Sequence, residues 1–117
     1  AMTESSGIFT FPSTGYWLIE FAGEFYYAGD SRYVQIKIQT TVNDSSYDDA
    51  SISSDGISQA ESSTTSAHTK ASFLFDVTST STHKVRFSVA ESSSSVTVYG
   101  STTVNLTHMT FIRLGDT

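Results

Sequence analysis

Large apolar side chains recur at every second position along most of this chain, and that period limits its fold more than any other feature. From Tyr16 to Tyr27, one side collects Trp17, Ile19, Phe21, Phe25 and Tyr27. The other collects Tyr16, Leu18, Glu20, Ala22, Glu24 and Tyr26. A strand sends successive side chains to opposite faces, so this spacing builds a half-buried sheet rather than a helical stripe. The same alternation returns in residues 32–42 (Val34, Ile36 and Ile38 inward), 71–77 (Phe73, Phe75, Val77) and 84–90 (Val85, Phe87, Val89). Composition points the same way. Serine and threonine number 22 and 17, one third of the 117 residues, and both compete poorly for helix. Aromatics at 13% are enough to fill a core, so the hydroxyl load is a coat and not disorder.

Turn residues divide the alternating segments. Residues 7–11 read as a short first strand stopped by Pro12, and Pro12-Ser13-Thr14-Gly15 has the chemistry of a tight turn. Further turns fall at residues 28–31, 78–82 and 91–95, and a polar loop at 43–49. Residues 51–60, where Gly56 breaks a weak pattern, predict an irregular or edge strand, followed by a loop from Glu61 to Ser66. Residues 96–99 and 103–114 complete the set. The last places Leu106, His108, Thr110, Ile112 and Leu114 on one side and Thr107, Met109, Phe111 and Arg113 on the other. The expectation is one all-β domain over residues 1–117, a jelly-roll β-sandwich of about eight to ten antiparallel strands. Residues 1–6 read as a tag or linker, Ala1-Met2 as an expression scar, and the whole as the C-terminal domain of a longer protein.

Charge narrows the partners. A net charge of −6 opposes a phosphate-backbone binder and adsorption to anionic lipid, so neither nucleic acid nor membrane insertion is expected. No apolar run of about 18 residues occurs and no basic-then-apolar leader opens the chain. Without cysteine there are no disulfides or thiolate metal sites.

Chemical motifs are sparse. No Gly-x-Ser-x-Gly elbow occurs, and His68, His83 and His108 lie far apart, so no catalytic residue and no enzyme is expected. Glu20 and Glu24 share a strand face about 13 Å apart, too far for a glycosidase pair, and read as a solvated or interface-lining face, with Lys37 or Arg86 as candidate cross-strand partners. Asp44, Asp48 and Asp49 are a calcium candidate without the spacing of an EF-hand, and a solvated turn outweighs it; no cofactor is expected. Asn43, Asp44, Tyr47, Asp48 and Asp49 have the composition of a sugar or receptor loop, against Tyr47 acting as a packing anchor.

The stretch from Phe9 to Phe21 resembles the signature of the complement globular-head and tumour necrosis factor superfamily. A Phe is followed after five residues by Gly15, then by Trp17, Ile19 and Phe21 at alternate positions. Met109 to Leu114 resembles the closing strand of the same family, phage fibre members included. That signature continues upstream with a further strand that this chain does not contain. The resemblance implies a jelly roll that trimerises about a threefold axis. Tyr16, Leu18, Tyr26, Tyr33, Tyr99, Met109 and Phe111 are the candidate interface, because apolar side chains on an outer face seek a partner. The expected function is a homotrimeric tail-fibre or extracellular appendage domain, on a virion surface or outside the cell, joined to an upstream fibre or virion protein. It would recognise a cell-surface glycan or protein receptor, or simply cap the fibre. The alternative is a monomeric carbohydrate-binding module of a bacterial extracellular enzyme.

Overall fold

The computed structural model describes residues 1–60 and 62–117. Nine strands form two antiparallel sheets: β1 (Thr3–Ser5), β2 (Ile8–Thr10), β3 (Gly15–Tyr27), β4 (Ser31–Thr41), β5 (Asp48–Ile57), β6 (Thr65–Val77), β7 (Lys84–Glu91), β8 (Thr97–Val98) and β9 (His108–Gly115). One sheet has the order β1-β2-β7-β4-β5. In the other, β3 is flanked by β6 on one side; on its second side β9 runs along Tyr16 to Ala22 and β8 covers Phe25 and Tyr26. The chain crosses between sheets from β2 to β3, β3 to β4, β5 to β6, β6 to β7 and β7 to β8, the winding of a jelly-roll sandwich.

The alternation chose the buried side as expected. Ile19, Phe25, Val34, Ile36, Ile38, Val77 and Val85 are fully buried between the sheets. An aromatic cluster ties them together at one end. Phe21 and Phe87 meet at 4.9 Å, Phe9 and Phe111 at 5.3 Å, and Phe11 and Trp17 at 5.3 Å between ring centroids. Such tilted and edge contacts add about 0.5–1.5 kcal/mol each beyond the area they bury.

Several boundaries differ from the sequence expectation. Residues 1–6 are not a linker. Ser6 (φ 52°) and Gly7 (φ 80°) form a two-residue hairpin turn with both central residues at positive φ, which folds β1 onto β2. Met2 then packs against the core. Strand β5 is the expected edge strand, but it begins at Asp48, so Asp48 and Asp49 belong to a ladder and not to a loop. Strand β6 starts at Thr65, inside the loop expected over 61–66, of which Glu61 lies outside the described residues. The last strand is shorter than expected, because residues 101–107 form a loop.

Strand β9 is the outer strand of its sheet over Tyr16 to Ala22, with no further described strand beyond it. Met109 lies opposite Phe21 and Val89 opposite Ile36, both on the core side, yet both stay exposed. The sandwich is therefore open to solvent at these two places.

Gly15 is where β3 leaves its turn, at φ +140°. A Cβ there would lie 2.5 Å from the Gly115 carbonyl oxygen and 2.8 Å from Arg113 Nε, which itself donates to the Thr14 carbonyl at 3.0 Å. Gly15→Ala is expected to destabilise the fold by about 1–3 kcal/mol in urea unfolding, from strained backbone and the displaced end of β9. Gly100→Ala, where a Cβ meets nothing within 4 Å, should change stability by less than about 0.5 kcal/mol.

Candidate functional site

The outer face of the four-stranded sheet is built in cross-strand rows by the register of β6, β3 and β9. Leu74, Leu18 and Ile112 form one row; Ser72, Glu20 and Thr110 the next; Lys70, Ala22 and His108 the third. In the first row Leu74 is 52% and Ile112 44% exposed, and Tyr16 stands exposed one row further along β3. The acids of this face have local partners. Lys70 Nζ lies 2.6 Å from Glu20 Oε2, and His68 Nδ1 lies 2.9 Å from Glu24 Oε2. The expected partners Lys37 and Arg86 belong to the other sheet instead. Cross-strand neighbours win because adjacent strands bring Cβ atoms to about 5 Å.

The seven interface candidates do not share one surface. Tyr16, Leu18 and Tyr26 lie on the outer face of β3. Tyr33 is exposed on β4, in the opposite sheet. Met109 and Phe111 pair with Phe21 and Ile19 and so face inward; Phe111 packs against Phe9, Phe11 and Phe87. These two are core-side residues. The aliphatic members of the outer face that sequence reasoning left out are Leu74 and Ile112. Alternation separates two sets of β9 side chains, but both sets are mixed, so only the register could say which turns out.

Tyr99 meets Tyr26 edge to face, 5.1 Å between centroids, at the mouth of a cleft of about 450 Å³. Glu24, Phe25, Tyr26, Thr64, Ser66, Tyr99 and Leu106 line it. The 99–107 loop is pinned to β3. Tyr99 N donates to the Glu24 carbonyl at 2.8 Å, while Thr107 Oγ1 accepts from Glu24 N at 3.0 Å and donates to the Tyr99 carbonyl at 2.8 Å.

The 43–49 segment is assembled differently from the expected ligand loop. Asn43 Oδ1 accepts from Ser45 N and Ser46 N, closing an Asx turn. Asp44 pairs with Lys84 at 3.0 Å, and Asp49 accepts from Gln39 and Lys37 at 2.7 and 3.0 Å. Asp44 and Asp49 thus point to different partners, and among the described residues no three acidic or histidine groups meet as a metal site. Arg86 lies over the Tyr47 ring at 4.0 Å, and its Nε donates to Gln39 Oε1 at 2.9 Å. Tyr47 is therefore a packing anchor. A cation occupies its ring face, and its buried hydroxyl has no hydrogen-bond partner among the described residues.

The histidines are separate. His68 donates to Glu24, His83 bonds Thr78 and Thr82, and His108 Nδ1 donates to the Leu106 carbonyl at 3.0 Å. In comparison with known proteins, no family model matches the chain and no curated protein matches its sequence.

Two outcomes follow from the 39–49 network. Tyr47→Phe removes a buried hydroxyl that bonds no described residue, so the unfolding midpoint in urea should hold or rise, whereas Tyr47→Ala should lower it. Hydrogen bonds from Gln39, then from Lys37, hold the Asp49 carboxyl below its ordinary value. A depressed carboxyl stabilises the fold above its unfolded value of about 3.9 and loses that contribution as pH falls through the folded value. Asp49→Asn should therefore melt earlier than the parent chain at pH 7, with the two melting temperatures converging below about pH 4.

Proposed function

We propose that the chain is a non-catalytic recognition or capping domain of an extracellular or virion appendage, assembled as a homotrimer. The outer row Leu74, Leu18 and Ile112, with Tyr16 beside it, is the observation that carries this reading. Three adjacent strands present aliphatic side chains on an otherwise hydroxyl-rich surface, and burying such a row against a second copy removes apolar area from water at about 25 cal/mol per Å². Threefold symmetry comes from the resemblance of the segment Phe9 to Phe21. The N-terminus joins the domain to an upstream fibre or virion protein, and rigidly held loops meet a cell-surface receptor.

The second reading is a monomeric carbohydrate-binding module. The cleft beside Tyr26 and Tyr99 favours it, since that cleft is complete within one chain.

Sedimentation separates the two. The parent chain should sediment at three times its 12.7 kDa at micromolar concentration. Leu74→Glu combined with Ile112→Glu should give a folded single chain, because both side chains are exposed and neither fills the core. A parent chain that sediments as one copy would overturn the trimer and leave the module.

A further inference from the structure

We infer that the cleft between β3, the start of β6 and the 99–107 loop is a binding site for a neutral sugar residue, N-acetylated sugars included. Its volume of about 450 Å³ falls in the range of small-molecule sites. Tyr26 and Tyr99 meet at an interplanar angle of 68°, so two rigid aromatic walls line one opening. The C–H face of a pyranose packs against such rings, and tyrosine gives that area at low cost in side-chain entropy.

The polar groups match the other half of a sugar. Tyr26, Tyr99, Thr64 and Ser66 line the cleft, their hydroxyls bond no described residue, and Glu24 uses Oε2 for His68. A hydroxyl both donates and accepts, as each sugar hydroxyl does, and the second carboxylate oxygen of Glu24 can take a charge-assisted bond. Among the described residues no lysine or arginine lines the cleft, and a carboxylate does. Phosphate, sialic acid and uronic acids therefore meet repulsion with no compensating cation. Preorganisation comes from Thr107 and Tyr99, which clamp the loop to the Glu24 backbone and fix one wall before any ligand arrives.

This site lies eight residues along β3 from Leu18, about 26 Å at strand rise, so it stands apart from the outer aliphatic row. It rests on the carbohydrate-binding reading, whose ligand class it names, and its titration test reads the cleft whatever the number of copies found by sedimentation.

The test is amide chemical-shift titration of the full chain with chitotriose, maltotriose and galactobiose, with a galacturonate trimer as the charged control. At least one neutral sugar should shift amides in residues 24–26, 64–66 and 99–107 in a saturable manner. Tyr99→Ala and Thr64→Val, both at exposed positions, should weaken that binding tenfold or more, while Tyr47→Ala leaves it unchanged. No saturable shift with any neutral probe up to about 10 mM, shifts confined to other surfaces, or binding of galacturonate alone would overturn the inference.

Discussion

Everything else in this domain hangs on the pairing of β3 with strands on both of its edges while its inner face stays dry. Trp17, Ile19, Phe21 and Phe25 supply that face, and all are buried. Strand β6 satisfies one row of β3 backbone groups along its full length, and β9 and β8 share the other. A strand so placed cannot slip by one residue without exchanging its aromatic face for one that carries Glu20 and Glu24. Register is thereby fixed for three neighbours at once. The aliphatic row, the Glu–Lys and Glu–His pairs and the tyrosine corner are consequences of that one alignment.

The two sheets divide the chemistry between them. On the five-stranded sheet, Lys37, Gln39, Asp49 and Arg86 form a continuous polar mesh that ends on the Tyr47 ring. The charges of this mesh are mutually satisfied and the Tyr47 ring is covered by Arg86, while Tyr33 and Ile52 stay exposed on the same sheet. On the four-stranded sheet the pairs are local, and between and beyond them lie exposed aliphatic and tyrosine side chains.

How much of this was readable beforehand depended on whether a feature lived in one strand or between several. The inward sets of β3, β4 and β6 are period-2 patterns of large side chains, and each was legible from its own segment. Strand β1 was not, because its three residues carry no period and it exists only through its pairing with β2. The 43–49 aspartates looked like a ligand cluster because side-chain direction is invisible in sequence. The ladder with β4 turns Asp49 onto Lys37 and Gln39 instead. Tyr26 and Tyr99 were both noticed as aromatics, but the cleft they make requires a loop 73 positions downstream to be pinned on Glu24 (99 − 26 = 73). Nothing local encodes that contact.

The distance in sequence between β3 and β9 also governs how the molecule is made. The four-stranded sheet closes only when residues 108–115 reach a strand that left the ribosome some 80 residues earlier (108 − 27 = 81). Phe111, which bridges Phe9, Phe11 and Phe87, arrives only with β9. Loop closure on that scale is entropically expensive and places the chain among slow, non-local folders. Until β9 has been made, the aromatic interior lacks Phe111 and β3 lacks its partner along Tyr16 to Ala22.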